Sequence, residues 1–321
     1  MRIFITGSDG FIGSAMRERL GHKHHLGFLT EDLRDHQAVR DQVIGFNPEI
    51  IVHLAARTEV EDSFYEQVTF SDINYTGSVN LIEAATACPN LINFVFASTM
   101  EVYGWSPESD LIKHGKDNLS TFKLPVFTPK TIPHPNAPYS VAKRGVELYL
   151  EYAQRSLGLN STVIRQTNAY GRKSNDFFVT EQIINQMLKN PDEINLGYGE
   201  PYRNFIYIDD LLDAWETVID NPLKVQNNTY TLGPNNAVKI SAYADQIAEL
   251  MGWKGVINWD TKPARPGEIY VLNSSNTLLT EHTGWEPKVS LEEGLKRTIA
   301  HWSTKKPLSW RGKQKPYPRG H

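Results

Sequence analysis

Residues 2–13 read RIFITGSDGFIG, and the reading of this stretch decides the fold. Ile3 to Thr6 is an apolar run of the kind that forms a strand buried on both faces. Ile12 to Leu20 then carries helical spacing and ends at Gly21. Gly7, Gly10 and Gly13 lie between them. Glycines there let the chain turn sharply and let backbone N–H groups approach a pyrophosphate, while the start of the following helix supplies unpaired donors and partial positive charge. The spacing is GxxGxxG, not GxGxxG, and its position after a strand and before a helix marks a dinucleotide loop.

Outward from this loop the strand–helix alternation continues. His24 to Leu29 is a weaker strand candidate, and Asp41 to Phe46 a short helix ending before Pro48. EIIVHL (49–54), INFVFA (92–97) and Thr162 to Thr167 read as buried strands, with helices over Ser78 to Ala87 and Ser140 to Ser156. This is the pattern of an α/β protein with a doubly wound parallel sheet. After about residue 170 the rhythm becomes irregular, with isolated strands at Asn204 to Ile208 and Asn228 to Leu232. The expectation is a dinucleotide-binding domain over 1–170, to which segments near 204–233 return, and a smaller mixed substrate domain over 171–321.

The chain has 321 residues, a formal charge of −4, 40% hydrophobic and 22% charged residues, and a single cysteine, Cys88. That balance argues against disorder and gives no overall attraction to nucleic acid or anionic lipid. One cysteine excludes an internal disulfide framework, and no apolar run reaches the roughly 18 residues of a membrane span. A cytoplasmic protein with no nucleic-acid or membrane partner is expected. His22, Lys23, His24 and His25 read as a surface loop, not a metal site, and the basic stretch 303–321 as a solvated tail.

In doubly wound folds an acid near the end of the second strand binds the adenosine ribose, and either Glu31 or Asp32 is placed to do so. Asp9 inside the glycine loop repels a 2′-phosphate, and no Arg or Lys in the loop attracts one. Arg34 does so only if the second strand ends later than expected. NAD is therefore favoured over NADP.

Tyr139 and Lys143, in PYSVAK, are four residues apart and share one helix face. An ammonium near a phenol lowers the phenol's pKa from about 10, so that it can exchange a proton with a hydroxyl near neutrality. Thr99 lies where INFVFA ends, at the carboxyl edge where such folds place catalytic groups.

In this order the pieces resemble an extended short-chain dehydrogenase/reductase of the nucleotide-sugar epimerase and dehydratase family, whose fold is a Rossmann sheet. The matching segments are TGSDGFIG, HLAA (53–56), the stretch from Ile73, STMEVYG, PYSVAK, NAYG (168–171), RNFIYIDD from Arg203, RPGE from Arg265, and TGWEPKVSLEEGL. The resemblance implies that Gly7, Gly10, Phe11 and Ile12 hold the cofactor pyrophosphate and that Asp32 and Leu33 flank the adenine. It implies that Leu54, Ala55 and Ala56 line the dinucleotide and that Asn74 supports the site. Tyr139 would be the acid/base and Thr99 its assistant, with Lys143 on the nicotinamide ribose. Asn168, Arg203 and Arg265 would bind the diphosphate of a nucleotide-sugar substrate, and a homodimer would form through the helix bearing Tyr139 and the helix before INFVFA.

Family members oxidise the sugar at C4 and differ in the steps after that oxidation. Dehydratases and decarboxylases tend to carry Thr-x-Glu at Thr99–Glu101, often with Asp or Ser between. Here Met100, which donates no proton, stands between them. Glu101 is either a base for a C5 proton or a hydrogen-bonded loop acid. The expected function is an NAD-dependent 4-epimerase. The alternatives are a 4,6-dehydratase or decarboxylase using Glu101, an NADPH-dependent 4-keto-sugar reductase, and, last, a non-enzymatic dinucleotide-binding protein. The Pro-rich stretch 105–136 reads as a lid or dimer element.

Overall fold

A computed structural model describes residues 1–105, 124–172 and 177–304. Thirteen strands are present among them: β1 (Arg2–Thr6), β2 (His25–Phe28), β3 (Ile50–His53), β4 (Asn93–Thr99), β5 (Ser161–Gln166), β6 (Asn168–Tyr170), β7 (Glu193–Asn195), β8 (Tyr202–Arg203), β9 (Phe205–Tyr207), β10 (Asn228–Leu232), β11 (Val238–Lys239), β12 (Val256–Asn258) and β13 (Val271–Leu272). The helices of ten residues or more are α1 (Phe11–Leu20), α2 (His36–Phe46), α3 (Gly77–Thr86), α4 (Pro138–Leu157), α5 (Val179–Lys189), α6 (Ile208–Asp220), α7 (Ile240–Met251) and α8 (Leu291–Ser303).

Six strands form one parallel sheet in the order β10-β5-β4-β3-β1-β2. Successive side chains of a strand point to opposite faces, and the core divides accordingly. Ile3, Ile5, Ile50, Val52 and Val95 bury with Met16 and Leu20 of α1. Phe4, Ile51, Phe94 and Phe96 bury on the other face with Val39 and Val43 of α2, Leu81 and Ile82 of α3, and Val146 and Leu150 of α4. The strand order reverses between β1 and β3, and ligands of open α/β sheets bind outside the carboxyl ends of the strands at such a point.

Two elements differ from the sequence reading. The helix expected from Asp41 starts at His36, because the Asp35 carboxylate accepts the Ala38 N–H at 3.0 Å and caps it a turn earlier. Ile208, read as the end of a strand, opens α6, with Asp209 and Asp210 in its first turn. Lys23 and His24, from the histidine-rich loop, pair with Glu216 and Asp220 of that helix. Residues 106–123 of the Pro-rich insertion and 305–321 of the basic stretch lie outside the described residues. No helix among the described residues is long and apolar enough to cross a membrane.

Candidate active site

A cavity of about 900 Å³ opens at the strand-order reversal. Its lining includes Gly7, Gly10, Phe11, Ile12, Asp32, Leu33, Leu54, Ala55, Ala56, Thr99, Glu101, Tyr139, Lys143, Asn168, Arg203 and Arg265. Of the site residues expected from the sequence, Asn74 alone does not face it.

The glycine loop is built by close approach. Gly7 has φ +71°, and a Cβ there would lie 2.7 Å from the Ala55 nitrogen; a Cβ on Gly13 would lie 2.1 Å from the Gly7 carbonyl oxygen. Gly10 is the N-cap of α1, which carries no capping side chain and no acid in its first turn, so the positive end of the helix faces the cavity. Asp9 points elsewhere: its side chain is 91% exposed and pairs with Arg17 at 2.8 Å. The argument that Asp9 repels a 2′-phosphate is thus corrected: the acid that lines the cavity here is Asp32. Arg34 donates to both Asp32 oxygens from Nε at 3.0 Å and Nη2 at 2.6 Å, holding the carboxyl down at about 2. β2 ends at Phe28, and Arg34 is engaged with Asp32 and, at 3.7 Å, with Asp72.

A buried relay holds the loop after β3. The Ala55 N–H donates to Thr6 Oγ1 at 3.1 Å, and Thr6 Oγ1 meets His53 Nδ1 at 2.7 Å. His53 Nε2 meets Ser78 Oγ at 2.8 Å, and that hydroxyl donates to the Asn74 carbonyl at 2.6 Å. The Asn74 amide accepts the Arg57 N–H at 2.8 Å and donates to the Arg57 carbonyl at 2.9 Å. These partners fix a neutral imidazole, and burial pushes His53 down to about 3. Asn74 therefore holds residues 55–57 from behind the cavity wall. Thr6, His53 and Ser78 were missed by the sequence reading, although two of them end adjacent strands.

At the sheet edge, Thr99 closes β4, accepts the Glu101 N–H at 3.1 Å and lines the cavity together with Tyr139. Lys143 Nζ donates to the Ala97 carbonyl at 2.8 Å and lies 4.8 Å from the centre of the Phe96 ring. The expectation that this ammonium lowers the phenol pKa is not met here. Burial pushes Tyr139 well above the ordinary tyrosine range, and the neighbouring Thr99 hydroxyl only partly offsets it. Burial draws Lys143 down to about 7, against the opposing pull of Glu147.

Arg203, on β8, and Arg265 converge on one carboxylate. Arg203 Nη2 donates to Glu268 Oε1 at 2.9 Å; Arg265 donates from Nε to Oε2 at 3.1 Å and from Nη2 to Oε1 at 3.0 Å. Burial lowers the Arg203 pKa, whereas at Arg265 the neighbouring Glu268, Glu101 and Glu61 outweigh burial and raise it. Glu268, the acid of RPGE, also lines the cavity, and its role was not read from the sequence. Met100 is 1% exposed and packs with Val102, Tyr103, Phe127 and Ile269.

A family model described as GDP-mannose 4,6 dehydratase matches residues 16–298. The chain belongs to that family. It is thereby an extended short-chain dehydrogenase/reductase enzyme of the nucleotide-sugar epimerase and dehydratase type. A putative UDP-glucose 4-epimerase of Methanocaldococcus jannaschii is 28% identical over 92% of this chain and 97% of that protein. A dTDP-glucose 4,6-dehydratase of Escherichia coli is 27% identical over 94% of this chain and 93% of its own length. Among solved structures, the UDP-glucose 4-epimerase of Thermus thermophilus, a complex with NAD, superimposes with a TM-score of 0.82 at 25% identity, covering 95% of this chain and 99% of that one. Members with different outcomes thus resemble this enzyme about equally.

Proposed function

We propose that the enzyme is an NAD-dependent nucleotide-sugar 4-epimerase. The observation that carries this reading is that Tyr139, Thr99 and Lys143 line one cavity together with the glycine loop and the Arg203–Arg265 pair. The glycine cradle, the uncapped start of α1 and the Asp32 carboxylate fit a dinucleotide whose adenosine ribose keeps its 2′-hydroxyl. When bound there, NAD supplies a hydride acceptor at the sugar carbon. Tyr139 takes the proton from the sugar O4 and returns it, Thr99 orients both oxygens, and Lys143 holds the nicotinamide ribose. Arg203, Arg265 and Asn168 hold the diphosphate, with the guanidiniums exchanging part of their bonding to Glu268 for phosphate oxygens. Residues 1–170 with β10 form the dinucleotide half and most of 171–321 the sugar half, and two copies pair through the outer face of α4.

Met100 favours the epimerase over the 4,6-dehydratase, because a side chain committed to an apolar cluster offers no proton for a leaving C6 hydroxyl. Glu101 favours the second reading: it lines the cavity and acts electrostatically on Tyr139, so a C5 proton lies within its chemistry. The test offers UDP-, GDP-, CDP- and dTDP-sugars to the purified enzyme in deuterated water. Unchanged mass with inverted C4 and no net NADH supports the epimerase. Loss of 18 Da with C5 exchange supports the dehydratase, loss of 44 Da a decarboxylase, and stoichiometric oxidation of added NADPH a reductase. Tyr139→Phe is expected to lower kcat about 10²- to 10⁴-fold with NAD still bound, and unchanged turnover overturns the assignment.

A further inference from the structure

Tyr139, Lys143 and Glu147 stand four residues apart on α4, so one stripe of the helix presents all three to the sheet. Three consecutive residues of β4 answer them. The Thr99 hydroxyl acts on the Tyr139 phenol in the shared cavity, the Ala97 carbonyl accepts from Lys143 Nζ at 2.8 Å, and Ser98 Oγ donates to Glu147 Oε1 at 2.5 Å. Glu147 does not line the cavity and is 2% exposed. Its carboxylate is fully committed: Arg165 donates from Nε to Oε1 at 3.0 Å and from Nη2 to Oε2 at 2.8 Å, and Arg144 donates to Oε2 at 2.9 Å. Arg165 lies beside Ser98 on β5, and its other Nη reaches the Tyr103 hydroxyl at 2.9 Å; that hydroxyl donates to the Thr128 carbonyl at 2.7 Å.

We propose that Glu147 is a positioning residue for the reaction, clamping α4 to β4 and β5 one turn beyond Lys143 so that phenol and ammonium stay in register with Thr99 and Ala97. The inference rests on the reading of Tyr139 and Lys143 as the acid/base pair. A buried ion pair is a poor source of stability, because desolvation consumes most of its attraction, so holding Ser98, Glu147, Arg165 and Tyr103 together chiefly fixes geometry. A misplacement of about 1 Å at reacting groups can cost about 10²-fold in rate. The clamp also sets charge. Around Lys143 stand Tyr139 and Glu147 on its own helix, Phe96 and the Ala97 carbonyl on β4, and His53 on β3, which burial keeps uncharged. Glu147 is the anion among them, and it favours the ammonium.

The experiment compares wild type with Glu147→Gln, Glu147→Asp and Ser98→Ala, all as NAD-loaded enzyme. Circular dichroism reads the fold, steady-state kinetics on the sugar turned over reads kcat, KM and the pH profile, and ¹³C NMR reads titration of the Lys143 ε-carbon. Glu147→Gln is expected to lose about 10- to 100-fold in kcat, with KM within about threefold, and to move the alkaline limb and the ε-carbon titration to lower pH. Glu147→Asp keeps the charge one methylene short, so it loses kcat without moving the limb. Ser98→Ala keeps the Arg165 ion pair and loses about three- to tenfold in kcat. Folded Glu147→Gln with wild-type kcat and an unmoved limb overturns the proposal; should it not fold, wild-type kcat in Ser98→Ala does so. If wild type turns over no nucleotide sugar, the epimerase reading fails by itself, and an ε-carbon titration unmoved in Glu147→Gln still overturns this inference.

Discussion

Lys143 is held where water would not leave a charge: beneath Phe96, against a main-chain carbonyl, 3% exposed. Its pKa falls from 10.5 to about 7, so between those values the unfolded chain keeps a proton that the folded chain lacks, and stability rises with pH across that window. Below about pH 7 the full penalty, at most about 5 kcal/mol, is present. Lys143→Met is therefore expected to raise the unfolding free energy of the cofactor-free enzyme by about 1–3 kcal/mol at pH 6 and by far less at pH 10, while turnover is lost. Urea melts at the two pH values check this; equal effects at both count against it. Elsewhere in the cavity lining, Asp32 holds Arg34 by two side-chain bonds. Asp32→Ala removes the proposed ribose acceptor and frees a guanidinium for a 2′-phosphate. The NAD-over-NADP preference should drop at least about tenfold, read by titration with both cofactors. Thr99 was singled out because it directly follows a plainly apolar strand, whereas Thr6 and His53, which also end strands, were not, because their link to each other runs across the sheet. Glu268 and Glu147 were not, because their partners lie far along the chain or are set by packing that no local pattern encodes.

Elements were legible where local chemistry agreed with burial. β3 and β4 are apolar runs buried along their whole length, and the sequence reading found both. The start of α2 was missed because a polar cap, Asp35, sets it ahead of the visible apolar stripe. The glycine loop is the clearest case of an element specified by what it cannot contain. In a helix an alanine normally gains about 1 kcal/mol over glycine. At Gly13, however, a Cβ would meet the Gly7 carbonyl oxygen at 2.1 Å and the Ser8 Cα at 2.8 Å, both backbone. Gly13→Ala is expected to reverse the sign of the propensity effect, destabilising the enzyme by about 3 kcal/mol and weakening NAD as α1 moves off the loop. Thermal melts with and without NAD measure both, and a variant as stable as wild type would refute the close-approach account.

At the scale of the whole molecule, α4 carries two unlike faces. Tyr139, Lys143 and Glu147 look into the sheet, while Val141, Leu148 and Tyr152 look out, 55%, 51% and 44% exposed. Residues spaced 7 and 4 apart make one continuous outer stripe. Gly145, on the same helix, lets Tyr75 close over it, since a Cβ there would meet the Tyr75 ring at 2.9 Å, and Tyr75 is itself partly exposed. An apolar stripe this regular on an active-site helix is a surface that water does not favour. If two copies cover it, each stiffens the helix that holds the other's acid/base pair, and activity becomes linked to assembly. Leu148→Glu combined with Tyr152→Glu places like charges at the proposed contact, and light scattering should then read a monomer of 36.4 kDa where wild type reads twice that mass. Because both side chains point away from the cavity, any loss of kcat in the double variant should track dilution of the wild type through its dissociation range. A wild type that is already monomeric, or a double variant that stays dimeric, would move the interface to another face and leave the stripe unexplained.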